Sequence, residues 1–181
     1  MATISTKAVQ MPASAIRKLV PLADAAKKQG VKVYHLNIGQ PDIKSPDCAL
    51  EAIKNNGLTH VSYSNSAGLI ELREGLVNKY YKKIGIDIEV SELLVTVAGS
   101  EGVNMSLEIT CNPGDEVIVL EPFYTNYNTF AFMNGITLKA IPTDIRKGFQ
   151  VPPIEEFEKA ITDRTKAILI CNPGNPCGTL Y

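Results

Sequence analysis

From residue 93 onward the chain alternates short apolar runs with longer stretches whose apolar positions recur every three or four residues. A run of four to eight apolar residues reads as a strand, and the longer periodicity reads as a helix with one buried face. The pattern predicts strands over 93–97, 116–120, 137–142 and 166–171, with helices over 101–110, 125–134 and 153–161 between them. Strands separated by helix-length segments pair in parallel through right-handed crossovers. The nearly unbroken apolar stretches 93–97 and 167–170 suit strands covered by helices on both faces. The expected fold class is therefore α/β, a mostly parallel sheet with flanking helices.

Upstream, the first ten residues read as a loose arm. Ile16, Leu19, Val20 and Ala23 keep helical spacing over 14–29, with Gly30 as the C-cap and Pro21 expected to kink or shorten the helix. Residues 31–36 alternate like a short strand, and 47–54 read as a short helix. A longer helix is expected over 69–83, with Leu72, Leu76 and Tyr80 on its inner face and Gly85 beyond its end.

Composition narrows the function classes. The 181 residues are 45% apolar and 20% charged with a formal net charge of -1, and the lysines are scattered, so no footprint for nucleic acid is present. The first residues lack a signal peptide's apolar core, and no run approaches the roughly 18 apolar residues of a membrane span. A cytoplasmic protein is expected. Cys48, Cys111, Cys171 and Cys177 form no CxxC pairing and read as reduced thiols rather than metal ligands. Cys171 and Cys177 flank one loop, so a redox or metal pair there stays open at this point.

Three loops leave the carboxyl ends of predicted strands, the edge where ligands bind in open α/β sheets. Ala98-Gly99-Ser100-Glu101-Gly102 joins a strand to a helix. Its small residues, the unpaired N–H groups of a helix start and the Ser100 hydroxyl would receive an anion, or Ser100 is simply the N-cap of a turn. Neither GxGxxG nor GxxxxGK[ST] is present. Glu121-Pro122-Phe123-Tyr124-Thr125-Asn126-Tyr127 sets three aromatics after a strand, where they either stack on a planar ligand or pack on the sheet. Cys171-Asn172-Pro173-Gly174-Asn175-Pro176-Cys177-Gly178 holds two Asn-Pro pairs and two glycines in eight residues, which implies a rigid bend that accommodates a cis X-Pro bond and aims an asparagine amide.

The order of these loops resembles that of the class I/II aminotransferases, the aspartate aminotransferase-like family of pyridoxal-phosphate fold type I. Asn172 to Gly178 resembles the family's NPxNPTG signature, with Cys177 where threonine is usual, a packing change rather than a loss of binding. The resemblance implies that Asn175 hydrogen-bonds the phenolic oxygen of the cofactor and helps hold substrate, and that Gly99, Ser100 and Glu101 form the phosphate cup. Glu101 sits awkwardly for a phosphate unless its carboxylate points away. Tyr124 falls where the family places the ring stacked on the pyridine. Asn37 to Asp42 is similar to the GxPD loop, in which the Gly39 backbone approaches the substrate carboxylate. Residues 63–73 resemble Y-x-x-x-x-G-x-x-x-L-R, whose tyrosine, here Tyr63, reaches the cofactor of the neighbouring subunit and so implies a homodimer.

The match runs from about Pro12 to the end of the chain. It implies an N-terminal arm and partial small domain over 1–46 and a partial large cofactor-binding domain over 47–181. The expected activity is transfer of an amino group from an amino acid to a 2-oxo acid. The family's Schiff-base lysine, pyridine-binding aspartate and carboxylate-binding arginine all follow the asparagine loop. Lys147, Lys159 and Lys166 lack the S-K-x-x-x-x-x-G-x-R context, so no catalytic lysine is assigned, and this polypeptide alone is expected to be inactive. A β-eliminating lyase on the same scaffold, a cofactor-sensing regulator and a non-catalytic remnant are the rival readings.

Overall fold

A computed structural model describes residues 3–181. Its contacts gather into two units, one formed by the described residues up to Asn37 with Val103–Tyr181, the other by Ile38–Gly102.

The first unit is built around three parallel strands, β1 (Glu116–Glu121), β2 (Thr137–Pro142) and β3 (Thr165–Leu169), in the order β2-β1-β3. Glu116 faces Thr137 and the register holds to Glu121 opposite Pro142, whereas the pairing of β1 with β3 slips by one residue after Glu116. As the central strand, β1 is buried from Glu116 to Leu120. Its run of apolar residues is explained by helices on both faces. Val117 packs with Leu107 of α5 (Gly99–Thr110) and Ala131 of α6 (Asn126–Asn134), and Ile136 joins them. On the opposite face, Ile118, Leu120 and Ile141 pack with Phe157 and Ala160 of α7 (Ile154–Ala160). These elements agree with the parallel α/β fold expected from periodicity.

The sheet is smaller than its pattern predicts. Residues 93–97 join no ladder; Leu93 is extended, Val95 N–H donates to the Ala67 carbonyl at 3.0 Å, and Val97 is 93% exposed. An apolar run becomes a strand only when a neighbour completes its backbone hydrogen bonds, and none does so among the described residues. The same holds for 31–36, which form no strand. In β3, Ala167 and Leu169 face the packed side, but Ile168 and Ile170 stay exposed. The expectation of cover on both faces of 167–170 fails because β3 is an edge strand and α7 packs against β2.

The upstream helices follow their capping signals more closely. α1 (Thr6–Gln10) occupies the arm that the sequence leaves loose, capped by the Ser5 hydroxyl, which accepts from Ala8 N–H. Pro21 lies in the first turn of α2 (Val20–Lys28), after a short 3-10 turn at Arg17–Leu19, so it shortens the helix from the N-terminal side. Gly30 follows with φ of 81°.

In the second unit, α3 (Asp47–Lys54) matches the predicted 47–54. α4 (Ile70–Gly75) passes into a π-helical turn, Leu76–Tyr80, and a 3-10 turn, Tyr81–Ile84, before Gly85 takes left-handed φ of 75°. Val77 is buried while Leu72 and Tyr80 stay exposed, contrary to the expected stripe; the wider turn re-aims Tyr80, whereas Leu72 precedes it. Among the described residues no helix is long and apolar enough to cross a membrane.

Candidate functional site

Gly99 and Ser100 open α5, and Ser100 stands one residue inside the helix rather than at its cap. The Ala98 carbonyl accepts from Glu101 N–H at 3.0 Å and from Gly102 N–H at 3.2 Å. The N–H groups of Gly99 and Ser100 have no acceptor among the described residues, as the first turn of a helix requires. No atom lies within 4 Å of the point where a Cβ on Gly99 would sit, so a ligand can approach this backbone closely. Glu101 behaves differently: its carboxylate turns back and accepts from Val97 N–H at 2.6 Å.

The aromatic loop after β1 follows a cis Glu121-Pro122 bond. Tyr127 is buried on α6, stacked with Phe123 at 6.2 Å between centroids and meeting Tyr124 edge-on at 5.5 Å. Burial, with Cys171 beside it, pushes the Tyr127 phenol up to about 12. Tyr127 is thus a packing residue. Tyr124 is only partly buried, and its phenolic oxygen accepts from Asn126 Nδ2 at 2.6 Å, which fixes the ring beside Tyr127. Phe123 and Tyr124 are both part-buried against Tyr127, and Tyr124 is fixed in addition by its hydrogen bond.

The asparagine loop is closed on itself. Gly178 N–H donates to the Gly174 carbonyl at 2.6 Å, and Gly174 N–H to the Thr179 carbonyl at 2.8 Å. Asn172 Oδ1 accepts from Tyr181 N–H at 3.1 Å, and the Thr179 hydroxyl donates to the Gly148 carbonyl at 3.2 Å. Both Asn-Pro bonds are cis. The two asparagines therefore differ in kind: Asn172 ties the loop, whereas the Asn175 amide bonds to nothing among the described residues. Asn175 lines a small recess with Phe123, Tyr127, Leu169 and Tyr181. Its room of about 20 Å³ is that of a single water.

The remaining expected residues, Gly39 and Tyr63, lie in the Ile38–Gly102 unit, as do Gly99, Ser100 and Glu101. Gly39 is exposed, with open space around its Cα. Tyr63 is fully exposed. The glycine and arginine of its motif have structural work within the chain: Gly68 has φ of 96°, and a Cβ there would lie 2.7 Å from Val95 Cβ. Arg73 Nε donates to the Gly68 carbonyl at 3.3 Å, and its Nη1 to the Val90 carbonyl at 3.0 Å. Arg73 and Asn172 stand inside the quoted motifs without a role of their own there, and no local pattern marks Thr96 or Tyr181.

Taken one at a time, these groups suit parts of pyridoxal phosphate. Two open backbone amides and a hydroxyl at a helix start suit a phosphate, Asn175 offers an uncommitted amide, and Tyr124 offers a positioned ring.

Comparison with known proteins bears on the same residues. The family described as aminotransferase class I and II matches residues 31–181. The aspartate/prephenate aminotransferase of Thermus thermophilus is 34% identical over 184 residues, covering 100% of this chain and 47% of the relative. The aspartate aminotransferase of Thermotoga maritima is 32% identical and is covered to 47%, with 98% of this chain. Among solved structures, an alanine aminotransferase from Pyrococcus furiosus superposes with a TM-score of 0.87 at 36% identity, over 99% of this chain and 46% of that one. The chain spans about half the length of the curated relatives it matches. With the family match extending through the α5 turn, the aromatic loop and the asparagine loop, this chain belongs to the class I and II aminotransferases.

Proposed function

We propose that this chain forms the cofactor-cradling portion of a pyridoxal-phosphate-dependent aminotransferase that moves an amino group from an amino acid to a 2-oxo acid. The observation that carries the reading is the self-tied loop over 171–181, which commits Asn172 to structure and leaves Asn175 with an unspent amide. When bound, pyridoxal phosphate supplies the electron-withdrawing ring on which the family's chemistry depends. The residues of this chain hold and orient. The Gly99 and Ser100 amides, with the Ser100 hydroxyl, receive the phosphate; Glu101 belongs to the same turn.

Tyr124 stacks on the ring, and Asn175 donates to the phenolic oxygen and helps hold substrate. The Gly39 backbone approaches the substrate carboxylate. Tyr63, fully exposed in one chain, reaches across to the cofactor of a second copy, so the working form is a homodimer. The proposed setting is the cytoplasm, a reading supported by four cysteines held as free thiols. The product of the complete coding region, loaded with pyridoxal phosphate and offered a panel of amino acids, should change the cofactor's absorbance with at least one of them. A panel without any response would overturn the reading.

A further inference from the structure

Two side chains brace the turn that opens α5. The Glu101 carboxylate accepts from Val97 N–H at 2.6 Å, and the Thr96 hydroxyl donates to the Ala98 carbonyl at 2.9 Å. That carbonyl also accepts from Glu101 and Gly102 N–H. A Cβ on Gly102 would lie 3.3 Å from Thr96 Oγ1, so the turn is close-packed at its base. The amides left open in the turn are those of Gly99 and Ser100.

A carboxylate in the first turn of a helix is favoured by the partial positive charge there, and a glutamate reaching back to a preceding N–H caps the helix. The same carboxylate repels a phosphate brought to that end. Its contribution to anion binding must therefore come from ordering the turn, since its charge opposes binding.

We propose that Glu101 is a positioning residue rather than a ligand: its bond to Val97 N–H holds the 97–101 turn so that the Gly99 and Ser100 amides stay presented to phosphate. This rests on the cofactor reading above. It separates two properties of one side chain, acceptor geometry and charge, and glutamine keeps the first while removing the second.

The test uses the full chain, in two measurements. Amide exchange at Val97 without ligand reads the brace itself. Equilibrium dialysis with pyridoxal phosphate, and separately with inorganic phosphate, reads its consequence. Glu101→Ala should expose the Val97 amide and bind about five- to tenfold more weakly than Glu101→Gln, which shares its loss of charge but keeps the acceptor, the scale of a lost cap. Glu101→Gln should keep Val97 better protected than the alanine variant and bind both anions more tightly than wild type. Thr96→Val should weaken binding relative to wild type.

Unchanged Val97 exchange in Glu101→Ala would refute the brace. Faster exchange in Glu101→Ala with anion binding no weaker than that of Glu101→Gln would refute its positioning role and make the charge itself the determinant. A protected Val97 in a wild-type chain that binds neither anion would instead sink the cofactor reading, and the positioning role with it, while leaving the brace intact.

Discussion

The sheet unit and the Ile38–Gly102 unit reach a defined structure by different means. Around β1 the order comes from apolar burial: Val117, Ile118 and Val119 are fully buried, and helices cover both faces. In Ile38–Gly102, Val77 is the one buried apolar side chain among the described residues. There the backbone is pinned by directed bonds: Arg73 to two carbonyls, a reciprocal Glu89 and Glu92 capping box, and the Glu101 brace. Burial is non-directional and tolerates similar side chains. A directed bond fails with the loss of one atom.

That contrast can be broken at its strongest point first. Ile118→Ala removes a fully buried side chain from the centre of β1 and should cost about 2–5 kcal/mol, read as a lower urea midpoint. A cost below about 1 kcal/mol, the level of a tolerated volume-conserving swap, would mean that burial is not what orders this unit.

Gly68→Ala probes the other unit. Its φ of 96° and the nearby Val95 side chain should make alanine cost about 1–3 kcal/mol, with faster amide exchange around 67–73 and 95 but not in β1. Equal acceleration in β1 would show that the two units are not separately ordered.

The smallest effect sharpens the comparison by placing a directed bond inside the burial-driven unit. Glu116, buried at the start of β1, accepts from Arg164 at 2.5 Å and from the Thr162 hydroxyl at 2.7 Å. The Arg164 guanidinium, aided by Thr162, holds its carboxyl below the ordinary value of 4.5. A folded pKa lowered in this way contributes stability that is present above 4.5 and is lost as pH falls through the folded value. Thermal melts of Glu116→Gln from neutral pH into that acid range should show a flatter acid decline than wild type. An identical acid limb would remove Glu116 from the account.

Legibility in the sequence follows the same division. The segment from 116 to 169 could be read because apolar runs alternate with helices of ordinary period, and β2 falls on its predicted bounds, although only β1 buries its run throughout. The runs 31–36 and 93–97 carry the same local signal but form no ladder, since strand identity depends on a partner elsewhere in the chain. The helix over 69–83 was legible as helix, while its inner face was not: a π-helical turn re-aims the side chains from Leu76 on, and Leu72 ahead of it meets no covering partner among the described residues. Glu116 and Arg164 lie 48 residues apart, and no local pattern links them.

The loops divide in the same way. Motif order alone singled out Gly99, Ser100, Tyr124 and Asn175, because each must stand at a strand end or helix start that the pattern already places. Which of two asparagines is spent on the loop, and where the Glu101 carboxylate goes, were decided by tertiary structure. Those choices depend on which backbone groups remain unpaired once the chain has closed, and that is a property of the folded arrangement rather than of any stretch of residues.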